Sequence, residues 1–326
     1  MERKMEFLSH VERFRPQKLD DVVCHETIID TMKTYKTLKN IPHLLFHGPP
    51  GTGKTSTIEA FLHELYDKDH YEFMVMNINA SEERGIEVVR NKIKNFATTK
   101  SIGRNPQNLF KFVILDEADT ITPEAQGMLR IVIEKNTPNT RFCLICNRIK
   151  NIDPAIRSRC KSFKFRPLDL DGVCNKLDDI AEVCGIKITD DAKKYLWDVS
   201  RGDMRKVLHD IQMLSAFNKT IDAQTVLEFK QYPSREYIAQ LYQSFGKGIE
   251  KSMKLLNEKD YSFRCLLDCL SEYVTEKTEK GELSVNQSIY IAKSLRDIEM
   301  NFIFVSGSQI QRYALCSAFI LLESVK

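Results

Sequence analysis

The chain has 326 residues, 42% of them hydrophobic and 29% charged, an ordinary balance for a globular protein and enough length for two or three domains. A formal charge of only +3 excludes bulk positive charge as a means of holding nucleic acid, so any such contact needs a local patch. The charged start, Met1-Glu2-Arg3-Lys4, lacks a signal-peptide core, and no apolar run approaches membrane-spanning length; a soluble intracellular protein without a membrane contact is expected. Nine cysteines are scattered, and the CxxC of Cys143 and Cys146 sits in an apolar strand-like run without a second CxxC or a His pair. Reduced thiols and no zinc are expected.

Residues 11–23 read as an extended arm that ends at Pro16, since Arg15 before a proline is biased to extended geometry, and a helix is expected over 26–38. His43-Leu44-Leu45-Phe46-His47 is a short apolar strand. It runs into Gly48-Pro49-Pro50-Gly51-Thr52-Gly53-Lys54-Thr55-Ser56, and Ile58, Phe61, Leu62 and Leu65 then fall at helical spacing. This is the phosphate-binding P-loop pattern in the strand-to-helix context that it requires. Backbone N–H groups of such a turn, with the helix N-terminus behind them, hold phosphate oxygens. Lys54 can reach the β- and γ-phosphates, and the Thr55 hydroxyl is placed for Mg²⁺.

A second strand is expected over 73–78, followed by a helix capped by Ser81. Seven basic residues stand against three acids between Ser81 and Lys111, more net charge than the whole chain carries. Arg90 and Lys94 share a helix face, which fits either a solvated surface or a phosphate backbone. The strand over 109–115 ends in Asp116 and Glu117, the Walker B pattern: Asp116 for the Mg²⁺ shell, Glu117 to orient or deprotonate the attacking water. The strand over 141–146 ends at Asn147, close to where an open α/β sheet binds its ligand. Arg157 and Arg159 precede a fifth strand over 162–165, and chemistry alone does not choose between them as a phosphate contact. After Pro167 come short helices over 172–184, 190–200 and 204–214 without strand signals. Arg205 falls at the start of the third, where it opposes the helix dipole. Four longer helices are expected over 234–258, 261–280, 284–305 and 308–325, with apolar stripes suited to mutual packing.

These motifs resemble the small subunits of replication factor C, the sliding-clamp loader of the AAA+ class. The resemblance spans nearly the whole chain. It is strongest from Glu12 to Phe165 and over 202–208, through the run Asn79-Ala80-Ser81-Glu82-Glu83-Arg84-Gly85-Ile86, the Ser158-Arg159-Cys160 motif and the wording of 139–147. It implies an α/β fold: an AAA+ P-loop NTPase domain over 1–167 (a five-stranded parallel sheet with flanking helices), a small helical lid domain over 168–230, and an all-α collar domain over 231–326 that joins five subunits. It implies ATP and Mg²⁺, a DNA-dependent ATPase active in the assembly, and a nuclear address. The implied partners are one large and three other small subunits, the clamp PCNA and primer-template DNA. Arg159 rather than Arg157 becomes the arginine finger, acting on the neighbouring subunit's ATP. Asn147 and Arg205 become sensors of this chain's own nucleotide, and Glu12, Arg15, Pro16, Val22 and Val23 lie along its adenine and ribose. The basic face, through Arg84, Arg90 and Lys94, is assigned to DNA phosphates. Cys24, Ile131 and Arg148 depart from the usual pattern and leave Lys54, Thr55, Asp116 and Glu117 untouched. Two other readings are a homo-hexameric remodeller or branch-migration motor, and a scaffold subunit that holds nucleotide without needing to hydrolyse it.

Overall fold

Five short strands pair side by side in one parallel sheet: β1 (His43–His47), β2 (Val75–Asn79), β3 (Lys111–Asp116), β4 (Thr140–Cys146) and β5 (Cys160–Lys164), in the order β2-β3-β4-β1-β5. The computed structural model describes residues 9–82, 87–98, 110–136, 138–304 and 308–322, in two compact units that meet at Ile221 and Asp222. In the first unit, alternate side chains of each strand feed opposite layers. Leu44, Phe46, Phe112, Ile114, Cys143 and Ile145 face a layer completed by Ile58 and Phe61 of α2 (Lys54–Leu65) and Met32 of α1 (Glu26–Leu38). Leu45, Val113, Leu115, Phe142, Leu144 and Cys146 face Leu129 and Ile133 of α3 (Pro123–Asn136). Burial on both faces is why β1, β3 and β4 read as continuous apolar runs. The parallel order brings the carboxyl ends of β1, β3 and β4 to one edge, where an open α/β sheet binds its ligand.

Three capped helices complete this unit. Asp169 accepts the Gly172 N–H ahead of α4 (Leu170–Cys184), Thr189 accepts that of Ala192 ahead of α5 (Asp190–Ser200), and Asp203 precedes α6 (Met204–Phe217). The second unit holds α7 (Ala223–Lys230), α8 (Arg235–Phe245), α9 (Ile249–Glu258), α10 (Phe263–Glu279), α11 (Val285–Phe304) and α12 (Ser308–Leu322), packed around Leu241, Leu256, Leu266, Leu270, Ile291 and Leu315. The rings of Phe245 and Phe319 stack there at 4.5 Å.

Four expectations are corrected. The arm is not extended throughout: Ser9 accepts the Glu12 N–H, the His10 N–H donates to Gln212 on α6, and a short helix forms over His10–Arg13. Phe73 and Met74 belong to a helix, Lys68–Met74, which stacks Tyr71 on His63 of α2 at 4.5 Å and so delays β2. The helices after Pro167 enclose a small parallel ladder, Lys187–Ile188 beside Thr220–Ile221, which is too short to leave a periodic signal. The helix expected over 234–258 breaks into α8 and α9 at Gly248, which takes φ +102.

Two stability measurements follow. Gly202 has φ +76, and a Cβ there would lie 2.6 Å from the Leu168 carbonyl oxygen, whereas one at Gly127 within α3 meets nothing within 4 Å. Gly202→Ala is expected to destabilise the isolated chain by roughly 1–3 kcal/mol and Gly127→Ala to stabilise it by about 0.5–1 kcal/mol, read by denaturant unfolding. Separately, the Phe142 N–H donates to Nδ1 of buried His43 at 3.2 Å. Burial, aided by Arg141, lowers the pKa of this imidazole from 6.5 to about 4. The unfolded chain therefore binds a proton that the folded chain refuses between those values. Stability should fall as pH drops from 6.5 towards 4, by up to roughly 3 kcal/mol, and His43→Gln, which keeps an acceptor, should flatten that dependence.

Candidate functional site

At the carboxyl edge of the sheet the chain forms a pocket of about 240 Å³. Its floor is the turn between β1 and α2. Two glycines are required here by geometry: Gly48 (φ +151) and Gly51 (φ +67) would place a Cβ 2.2 Å from the Phe165 carbonyl oxygen and 1.7 Å from Asp203 Oδ1, respectively. α2 then starts without a side-chain cap, unlike α4, α5 and α6, and without an acid in its first turn, unlike α4 and α5. Its first N–H groups are thus left for an anion.

Lys54 is 7% exposed, and its Nζ donates to the carbonyls of Gly48 (2.9 Å) and Pro49 (2.7 Å) and to Asn147 Oδ1 (3.1 Å). Burial lowers its pKa, against the opposing pull of Asp116. Thr55 Oγ1 donates to Asp116 Oδ2 at 2.8 Å, which brings a hydroxyl and a carboxylate together as hard oxygen donors suited to Mg²⁺. Glu117 takes φ +52, a left-handed conformation uncommon for a residue with a side chain, and its N–H donates to Asp116 Oδ1 at 2.8 Å. Asp203 accepts the N–H groups of Arg205 and Lys206, and the Met204 N–H donates to the Gly51 carbonyl at 3.0 Å. These bonds hold the start of α6 against the loop and bring Arg205 to the pocket wall. The uncapped helix start, the inward ammonium and the Thr55–Asp116 pair together fit a nucleoside triphosphate with Mg²⁺.

The structure brings most of the expected residues together. Arg15, Pro16, Val22, Val23, Pro50, Gly51, Thr52, Gly53, Lys54, Thr55, Ser56, Asp116, Glu117, Asn147 and Arg205 all line the pocket. Gly48 and Pro49 stand behind that lining and serve Lys54 through their carbonyls. Glu12 is exposed and accepts from Arg15 at 2.7 Å, and Arg15 also pairs with Glu59. Arg159 lies away from this lining, paired with Glu134. Lys94 is exposed on the short helix Lys94–Thr98; Arg84 lies outside the described residues, as does the side chain of Arg90. Sequence reasoning missed Val11, Phe14, Leu168, Lys176, Met204 and Leu208, which also line the pocket. Apolar residues drawn from separate segments leave no spacing to find. Phe14→Ala should weaken nucleotide binding by roughly 1–2 kcal/mol in a calorimetric titration of the isolated chain. Unchanged affinity would remove Phe14 from the binding surface.

Residues 44–168 match the family described as ATPase family associated with various cellular activities (AAA). The chain is 37% identical to human replication factor C subunit 5 over 322 residues, covering 97% of this chain and 92% of the relative. It is 38% identical to replication factor C subunit 3 of Schizosaccharomyces pombe, covering 95% and 90%. A solved structure of RuvB from Thermotoga maritima, a Holliday junction branch migration motor, is similar with a TM-score of 0.54 at 16% identity, over 75% of this chain and 85% of that one; this likeness concerns the fold alone. With a P-loop ATPase pocket built as described and relatives matching over nearly the full length, the chain belongs to the small subunits of the replication factor C family.

Proposed function

We propose that this chain is one ATPase subunit of a hetero-pentameric clamp loader, with one large and three other small subunits, that opens a PCNA-type sliding clamp and places it on primer-template DNA in the nucleus. The observation that carries this reading is the division of the phosphate-binding cations. Lys54 and Arg205 line the chain's own pocket, while Arg159 stands outside that lining with two-fifths of its side chain exposed. Such a division suits a site completed by an adjoining copy of the fold. Arg157 is half-buried, which favours Arg159 as the residue that reaches outward.

ATP with Mg²⁺ supplies a scissile phosphoryl bond and the charge that the site must neutralise. This chain's residues do the rest. The N–H groups of the turn and of α2 cradle the phosphates, and Lys54 exchanges its loop carbonyls for phosphate oxygens. Thr55 and Asp116 hold the metal. Glu117 and Asn147 orient water against the terminal phosphate, and Arg205 ties the same phosphate to the helical lid proposed over 168–230. The neighbour's equivalent of Arg159 closes the site from outside, a contribution on the order of 10³–10⁵ in rate for arginine fingers. Once the terminal phosphate is lost, Lys54 and Arg205 on one side and the neighbour's arginine on the other share no anion. The interface weakens and the clamp is released, a population shift driven by differential binding. Head-to-tail contacts of this kind build a spiral, in which the exposed Lys94 and its basic neighbours follow DNA phosphates and the helices over 231–326 form the collar.

Native mass spectrometry of the tagged chain, purified from its own cells with ATP, should find one copy beside four different subunits. Six identical copies would overturn the reading in favour of a self-assembling motor. Within the assembly, Lys54→Ala should abolish hydrolysis at this site, and normal turnover would refute the assignment. Glu117→Gln should impair loading; if loading is unaltered, this copy acts as a scaffold.

A further inference from the structure

Arg159 is held in a way that its place in the fold does not require. Its Nη2 lies 2.8 Å from Glu134 Oε1, and its Nη1 donates to the Ala155 carbonyl at 2.6 Å. Its own N–H donates to the Ile156 carbonyl at 3.0 Å, which fixes the backbone beneath it. The two side chains are 41% and 42% exposed, so the pair sits at the surface, where ion pairs add on the order of 0–1 kcal/mol to stability. Stability alone gives this contact little purpose.

What the contact does is fix direction. A free arginine samples many rotamers, and immobilising it when a phosphate arrives costs about 2 kcal/mol of side-chain entropy. Here that ordering is done beforehand. Three donors of the guanidinium are bound to its own chain, the third being an Nη1–H that reaches the Ser158 hydroxyl at 3.4 Å, and the other two remain for an outside anion. The carboxylate behind the cation also supports its charge as an interface closes and water leaves. Glu134 lies in the last turn of α3, a helix that starts at Pro123 just beyond the Asp116-Glu117 pair, so its position is set by the rigid body that carries the metal and water ligands.

We propose that Glu134 is a positioning residue for Arg159, aiming its guanidinium at the terminal phosphate of a nucleotide bound by the adjoining subunit. This rests on the reading of Arg159 as the arginine that acts across the interface.

The test uses the whole assembly with the P-loop lysines of all other copies replaced, except in the subunit that Arg159 is proposed to serve. Single-turnover hydrolysis is then followed over a range of ATP concentrations, with assembly confirmed by native mass spectrometry. Glu134→Ala should lower the maximal rate roughly 10- to 100-fold, as a misplaced catalytic contact does. The half-saturating ATP concentration should stay within about twofold, because the lost contact belongs to the transition state. Glu134→Gln, which keeps an acceptor oxygen, should lose less. In an Arg159→Ala background, Glu134→Ala should add no further loss. An unchanged or faster rate for Glu134→Ala, or losses that multiply in the double variant, would overturn the proposal while leaving the function intact, provided that Arg159→Ala alone is impaired. Full activity of Arg159→Ala would instead refute the cross-interface reading itself, and this proposal with it.

Discussion

An ammonium that is 7% exposed must have its charge answered by nearby oxygens, and Lys54 imposes that requirement on everything around it. Its three acceptors belong to the turn after β1 and to the end of β4, so satisfying one cation ties two adjacent strands and a loop into a single geometry. The loop that supplies these carbonyls takes positive φ at Gly48 and Gly51 as the chain bends toward α2. Everything that approaches the loop then has to fit the space left by missing side chains. Phe165 does so from the end of β5 and Asp203 from the start of α6. The site is therefore less a cavity lined by chosen residues than the consequence of one buried charge placed where three strand ends converge.

How much of this was legible follows from what kind of physics fixes each part. The three central strands could be read because β1, β3 and β4 are apolar and lead into residues with a chemical task, and Lys54, Thr55, Asp116, Glu117 and Asn147 could be read because phosphate and metal chemistry tolerates few substitutes at fixed spacing. Boundaries set by tertiary contact could not. Nothing local to Phe73 and Met74 announces that Tyr71 will stack on His63 and keep that stretch helical. The apolar end of the pocket was partly hidden for the same reason, since Val11, Phe14, Leu168 and Leu208 meet only after folding. Lys176 was invisible as well: a lysine on an amphipathic helix reads as solvated, yet only 18% of its side chain is exposed.

The second unit has a different logic. Its helices bury a continuous core of leucines and aromatics, yet Val285, Ile289, Met300, Ile310 and Leu321 of α11 and α12 remain exposed. Sequence periodicity reveals that such helices pack, but not which apolar residues are left over after packing. Leftover apolar surface on an element without catalytic groups suits the assembly role proposed for it.

The hydrogen bond from the Met204 N–H to the Gly51 carbonyl has a consequence for how this protein can change over time. Because both partners are backbone atoms, replacement of the Met204 side chain leaves the link in place, and only proline deletes it. The Met204 side chain is constrained separately, because it lines the nucleotide pocket. Gly51 and Asp203 constrain each other: a Cβ at Gly51 would collide with the Asp203 carboxylate, while loss of Asp203 uncaps the helix that carries Arg205. One close contact thus constrains two positions that 151 residues separate, Gly51 through its positive φ and the carboxylate beside it, and Asp203 through the helix that it caps.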